Sequence, residues 1–230
     1  MDFGLYISAS GMVAEQARQA QIANNLANAT TPGYKPSESN LRSFGRLLLA
    51  NTATGQPVGN FYMGVEAGPE YLDLQPSPVH ETGRPLDFAI EGEGFFALRT
   101  PAGVRYTRNG QFRASAAGLL VDTAGNPVLN QAGGPIRVGP GGRVAPGELG
   151  LFRLANPVKQ GENLFAGAAA GRAAGRVRAG ALEESGVSPV AAMVQMVTAY
   201  HDFQAGQQAI AAIGQTLQEA ATQVGSLNGG

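Results

Sequence analysis

Between Ser188 and Gln218 the chain carries one formal charge, Asp202, yet its apolar residues recur at helical spacing. Met193, Tyr200, Gln207 and Gly214 fall at heptad intervals and alternate with Met196, Phe203, Ile210 and Leu217. That spacing predicts a helix of at least about 25 residues, roughly 37 Å long. Ser188-Pro189 marks its start, with a hydroxyl at the cap and Pro at the first helical position. A solvated helix face is ordinarily charged; this one is coated with Ala, Gln and Thr. Such a helix is suited to touch protein on several sides, either as an assembly element or as the central helix of one globular domain.

The other end of the chain has a similar but weaker pattern. From residue 4 to 27 there is no Pro, and Leu5, Ala9, Met12, Val13, Ala20, Ala23, Leu26 and Ala27 recur at three- and four-residue steps. Gln16 and Gln19 interrupt the seam, so this helix is expected to be marginal alone. Asn28 is suited to a left-handed closing position, and Thr31-Pro32-Gly33-Tyr34 supplies Pro and Gly where a type II turn needs them. Residues 35–68 show no sustained period and read as a connector with no assigned fold.

From residue 69 to 182 the period becomes two. Leu86, Phe88 and Ile90 alternate with Asp87 and Ala89, and Phe95-Phe96-Ala97-Leu98 follows the turn Glu91-Gly92-Glu93-Gly94. Asn109-Gly110 is expected to join Tyr106-Thr107-Arg108 to Gln111-Phe112-Arg113 as a tight hairpin. Leu119-Leu120-Val121 and Pro127-Val128-Leu129 flank another turn at 122–126. Short strands at this spacing predict a small all-β sandwich or barrel. The Ala, Gly and Arg stretch at 166–180 fits either a loop or an irregular strand pair.

Composition narrows the chemistry. Only 14% of residues are charged, against roughly 25% in an ordinary domain, and the net charge of −1 provides no field for nucleic acid or anionic lipid. Zero Cys excludes disulfides, thiolate nucleophiles and Cys-based metal sites. The two His, His80 and His201, lack a third ligand of comparable kind nearby in sequence. Gly92 and Gly94 begin a dinucleotide fingerprint that Ala97 breaks, and Arg172, Arg176 and Arg178 form a basic cluster without interleaved aromatics. No constellation for catalysis, no cofactor site and no metal site is expected. No basic and apolar leader opens the chain, and no apolar run reaches the length of a spanning helix.

Ser8-Ala9-Ser10-Gly11-Met12 followed by Ile22-Ala23-Asn24-Asn25-Leu26-Ala27-Asn28-Ala29-Thr30-Thr31-Pro32-Gly33-Tyr34-Lys35 closely resembles the amino-terminal signature of flagellar basal-body rod and hook proteins. Gly92-Glu93-Gly94-Phe95-Phe96 with Tyr106-Thr107-Arg108-Asn109-Gly110 resembles the centre of that family's β-domain. Leu182-Glu183-Glu184-Ser185-Gly186-Val187-Ser188-Pro189-Val190 resembles its carboxy-terminal signature. At position 191 stands Ala where relatives commonly have an acidic residue, so the last helix lacks a capping box. The resemblance implies a structural subunit whose terminal helices pair as a coiled coil inside a tube, with the β-domain outside. It also implies export through the flagellar apparatus without a cleaved signal. Thr82-Gly83-Arg84-Pro85-Leu86-Asp87 leans toward a proximal-rod subunit; distal rod is the alternative, and the chain is short for a hook subunit. A reading from another class is a secreted binding module with a helical anchor.

The expected fold is therefore α+β, with a central all-β domain inserted between two terminal helices that pair as a coiled coil. The expected organisation is 1–34 for the first helix, 35–68 for the connector, 69–182 for the β-domain and 183–230 for the last helix. The expected assembly interface comprises Leu5, Met12, Ala23, Leu26, Met193, Met196, Tyr200, Phe203, Ile210 and Leu217. The family-motif residues are Asn24, Asn25, Leu26, Ala27, Asn28, Pro32, Gly33, Gly92, Gly94, Phe95, Phe96, Tyr106, Arg108 and Gly110. Expected partners are further copies of the chain, neighbouring rod and hook proteins and the export apparatus.

Overall fold

The computed structural model describes residues 3–50, 56–161 and 163–227. Two long helices stand at the ends of the chain, α1 at Phe3–Ala27 and α2 at Pro189–Leu227, and the region between them is rich in strands. The fold is α+β. The chain forms two compact units: one holds residues 1–26, 37–71 and 189–230, the other 27–36 and 72–188.

α1 ends on a locally encoded stop. Tyr34 N donates to Thr31 O at 3.3 Å and Gly33 has φ 64°, which is the Thr31–Tyr34 turn expected from Pro and Gly. Asn28 does not adopt the expected left-handed conformation; Gly33 is the residue of this segment that does. Asn28 O instead accepts from Thr31 N at 3.0 Å. α2 starts at the expected Pro189 and continues for 39 residues, about 58 Å. The expected fraying of the tail falls partly on residues 228–230, outside the described residues.

The expected connector contains a long antiparallel pair. Leu41–Ala50 runs against Pro57–Ala67, in register from Leu41 opposite Ala67 to Ala50 opposite Pro57, with one irregularity near Leu49. Mixed polar and apolar residues hide its period, and Gly45, Gly59 and Gly64 dilute the strand signal further. Within the helical unit the hairpin is tied to α1. Val65 N donates to Ser10 Oγ at 3.2 Å, and the Tyr6 and Phe44 rings meet edge to face at 6.4 Å.

In the other unit, Phe95–Thr100 pairs with Gly103–Thr107 and with Leu151–Lys159. Phe165–Arg172 pairs with Leu151–Lys159 and with Gly103–Thr107, so the four strands close on one another. This is a small barrel-like sheet. Phe96 and Leu98 enter a core with Phe88, Ile90, Phe112, Leu120, Val128 and Leu151, while Phe95 and Ala97 enter a second cluster with Tyr106, Leu129 and Phe165. Period-two alternation thus feeds two cores from one strand.

Two pairings bring in strands distant in sequence, and one expected hairpin does not form. Phe88–Glu91 does not fold back on Phe95–Thr100; it pairs with Arg176–Ala179, Ile90 opposite Val177. Asn109-Gly110 makes no hairpin, because Gly110 lies against strand Phe88–Glu91: Phe88 N donates to Gly110 O at 3.0 Å. A Cβ on Gly110 would stand 1.6 Å from Phe88 O, so glycine is needed for close approach there. The turn at 122–126 closes as expected, Asp122 N donating to Asn126 O at 3.0 Å. The 166–180 stretch, left open above, supplies most of one strand and all of another.

Candidate functional site

Three distant sequence segments meet in the β-rich unit around one buried carboxylate. Lys35 follows the Thr31–Tyr34 turn, and its Nζ donates to Glu183 Oε1 at 2.8 Å, to Ser77 Oγ at 3.2 Å and to Gln75 O. All three ammonium donors are used. From the other side Arg108 Nη1 reaches Glu183 Oε1 and Oε2 at 3.0 and 3.1 Å. Its Nε donates to Gly94 O at 3.0 Å and its Nη2 to Gly92 O, and the guanidinium lies 5.6 Å from the centre of the Phe95 ring. Ser77 N completes the set, donating to Glu183 Oε1 at 3.0 Å.

Lys35, Arg108 and Glu183 are 0%, 2% and 1% exposed. Two cations against one carboxylate leave excess positive charge, which the carbonyl oxygens of Gln75, Gly92 and Gly94 offset. Burial pushes the Lys35 ammonium below its ordinary 10.5, and the hydrogen bond to Glu183 opposes that fall. With the Lys35 donors committed and all three side chains buried, this group joins distant chain segments.

The backbone around it makes the same joins. Gly33 N donates to Glu183 O at 2.9 Å, Gly186 N to Tyr34 O at 2.9 Å and Ser185 Oγ to Asn28 O at 3.0 Å. Asn163 Nδ2 donates to Pro32 O at 3.0 Å, and Lys159 Nζ donates to Lys35 O at 3.1 Å while standing 3.7 Å from the centre of the Tyr34 ring. Of the motif residues, Asn28, Pro32, Gly33, Gly92, Gly94, Phe95 and Arg108 converge here. Phe96, Tyr106 and Gly110 belong to the surrounding core and strand contacts. Asn25 lies in the helical unit, where Nδ2 donates to Ser37 O at 2.9 Å and Oδ1 accepts from Ser37 N at 3.3 Å. Asn24 and Ala27 are exposed and Leu26 is half-buried.

Lys35 and Glu183 lie inside the family-like motifs and Ser77 outside them, with nothing in the sequence to mark a shared role. Charged residues spaced this far apart carry no periodic signal.

In the helical unit three contacts relate α1 to α2. Ile213 Cδ1 lies 3.3 Å from where a Cβ on Gly4 would stand, Met12 Cγ lies 2.7 Å from the same point on Gly206, and Gln19 Nε2 donates to Ala199 O at 3.0 Å. Each advance along α1 is matched by a retreat along α2, so the helices run antiparallel at these contacts. The inward side of α2 is Ala192, Met196, Ala199, Phe203, Gly206, Ile210, Ile213 and Leu217, buried or half-buried at alternating four- and three-residue steps. Met196, Phe203, Ile210 and Leu217 occupy the expected heptad position. Met193 and Tyr200 do not share this side; they are 55% and 53% exposed, and the second position is held by Ala192, Ala199 and Gly206. On α1, Leu5, Met12 and Leu26 are half-buried and Ala23 is exposed. Gln19, read as an interruption, hydrogen-bonds across to α2.

Among the described residues no group of three or more His, Cys, Asp or Glu side chains is arranged to hold a metal ion. No described helix is long and apolar enough to cross a membrane. His80 lies at the surface, Nδ1 3.7 Å from Glu184 Oε1, and His201 is exposed. In the basic cluster, Arg178 pairs with Glu81 and with Glu91, the latter at 3.5 Å.

Comparison with known proteins gives three family matches in chain order. Residues 5–35 match the flagella basal body rod protein family, 89–144 the D1 domain of flagellar hook proteins FlgE/F/G, and 178–223 the flagellar basal body rod FlgEFG protein C-terminal family. The flagellar basal-body rod protein FlgF of Caulobacter vibrioides is 31% identical over 218 residues, 86% of this chain and 87% of that protein. FlgF of Mesorhizobium japonicum is 30% identical, covering 89% of this chain and 90% of its own length. FlgG of Bacillus subtilis is 30% identical, covering 94% and 96%. With end-to-end likeness at this level, and the signature segments gathered around Lys35, Arg108 and Glu183, the chain belongs to the flagellar basal-body rod protein family.

Proposed function

We propose that this chain, a structural subunit of the flagellar basal-body rod, enters the rod by pairing α1 with α2 as an antiparallel coiled coil and turning the outer apolar faces of both helices toward neighbouring subunits. The exposed large apolar residues carry the reading. Val190, Met193, Val194, Val197 and Tyr200 on α2, with Phe3, Tyr6 and Val13 on α1, are each more than half exposed. Contiguous apolar surface of this kind marks an interaction site. Met193 and Tyr200 thus remain in the proposed assembly interface as contacts to neighbours, while Leu5, Met12, Leu26, Met196, Phe203, Ile210 and Leu217 serve the intrachain seam. Ala23 is exposed and belongs with the outer set.

In this reading the β-rich unit is a separate body carried by the helices, and subunits add through heterologous contacts that do not close. Its neighbours are further rod and hook proteins, and the export apparatus passes the chain outward. A proximal position is supported by the two FlgF relatives and by residues 82–87; the FlgG relative keeps the distal rod as the alternative.

Because the chain contains no Cys, one introduced Cys is an unambiguous reporter. Val194→Cys in isolated basal bodies should cross-link to an adjacent rod protein, and so should Met193→Cys. If both give only unlinked chain while a β-unit control labels normally, the outer face of α2 is not the interface. Concentration-dependent polymer growth by the purified chain separates this role from that of a secreted binding module.

A further inference from the structure

Glu15 lies in the middle of α1 and is only 8% exposed. By the register of Met12 against Gly206 and Gln19 against Ala199, it stands between those contacts on the α2 side. Its Oε2 is buried without a hydrogen-bond partner, and its ion-pair partner Arg18 stands 3.7 Å from the other oxygen, Oε1. The charged groups acting on it are Arg18 from its own helix and Asp202 from α2, the one formal charge between Ser188 and Gln218. A carboxylate so placed loses its water without gaining equivalent donors.

We propose that Glu15 is an acid-responsive latch in the α1–α2 seam: while charged it holds the helix pair of the free chain loose, and when it takes up a proton the pair closes. Burial, the first cause, and the neighbouring Asp202 raise its carboxyl above 4.5, and Arg18 works against them. The sign follows directly. Between 4.5 and the raised value the paired helices bind more protons than the separated ones, so pairing strengthens as pH falls through that window. Above the window the charged carboxylate weakens pairing and adds no further pH dependence. A subunit that must reach its place before its helices close has a use for such a bias; the inference rests on the pairing of α1 with α2 proposed above.

The test is amide exchange on the dilute full-length chain, corrected for intrinsic rates, with the β-rich unit as internal control. Protection across residues 5–26 should rise in the parent chain as pH falls from neutrality toward 4.5, through the window set by the raised carboxyl. Glu15→Gln should show the closed level of protection already at neutral pH and lose the pH dependence. Asp202→Asn should move the midpoint to lower pH and Arg18→Gln to higher pH, a pair of opposite shifts that a packing role alone does not produce. The proposal is overturned if Glu15→Gln keeps the parent's pH dependence, if the parent shows none, or if either charge variant moves the midpoint the wrong way. These readouts come from the monomer, so they fail independently of the cross-linking that tests rod assembly.

Discussion

In the β-rich unit Phe88, Phe95, Phe96, Phe112 and Phe165 are all at most 6% exposed, while in the helical unit Phe3 and Tyr6 are more than half exposed. The first unit closes its apolar surface and its ions within itself: four strands pair in a ring, and Glu183 is satisfied from both sides. Among the residues of the second whose burial is described, the buried ones are chiefly small, Ala14, Ala192 and Ala199, with Ile22 and the poorly partnered Glu15. Small side chains remove little apolar area from water, so helix pairing adds modestly to stability at roughly 25 cal/mol per Å². The difference separates two duties. In the proposed assembly one unit is finished on folding, and the other would be completed by neighbours.

The largest expected effect breaks the finished unit. Glu183→Ala leaves Lys35 and Arg108 buried without a carboxylate, and removing one partner of such a group typically costs about 3–5 kcal/mol. The thermal melt of the β-rich unit should fall steeply. The same reasoning sets the autonomous boundaries: a fragment of residues 27–188 should melt cooperatively, whereas 69–182 lacks both Lys35 and Glu183 and should be far less stable. Equal melts for the two fragments would show the buried ions to be dispensable. Gly110→Ala comes next, at about 1–3 kcal/mol for forcing a methyl into the Phe88 backbone. That loss should appear in the urea midpoint while the helix signal is unaffected.

The helical unit should respond in the opposite manner. Phe203 and Leu217 are only half-buried, so changing either to Asp should leave the β-unit melt almost unchanged. If the helices pair in the rod as proposed, the same face closes in every subunit and the loss recurs at each one. Motility should therefore fail in strains carrying either variant. Normal motility rejects the seam, and collapse of the β-unit melt rejects the separation of duties.

How the sequence announces each region follows from the same contrast. The stop at Thr31–Tyr34 and the start at Pro189 were legible because turn and cap chemistry is local. One heptad position of α2 was also legible, through Met196, Phe203, Ile210 and Leu217. The other was read one residue late, at Met193 and Tyr200, because the true inward residues Ala192, Ala199 and Gly206 are small and carry little hydrophobic signal. Size, not period, decides which residues of this position lie toward α1. Strands were visible as alternation, but alternation does not name a partner: Phe88–Glu91 pairs with the distant Arg176–Ala179. Lys35 and Glu183 are 148 positions apart, and nothing in the pattern distinguishes a charge that will be buried from one that will be solvated.

The smallest expected effect sets the two units against each other through pH. Burial holds the folded Lys35 ammonium below 10.5, although Glu183 reduces the shift. Between the folded value and 10.5 the unfolded chain therefore binds more protons than the folded one, and stability rises with pH across that window. The unfavourable contribution is fully present below the folded value and gone above 10.5. Glu15 has the opposite sign, so the helical unit should gain on acidification while the β-rich unit gains on the alkaline side. Urea midpoints of the β-rich unit, measured from about pH 8 upward for the parent and for Lys35→Met, isolate the term, since tyrosine titration is common to both. The parent should gain relative to the variant as pH rises. A relative loss would mean that the ion pair with Glu183 outweighs burial at Lys35, and the β-rich unit would then owe its stability to that charge instead of tolerating it.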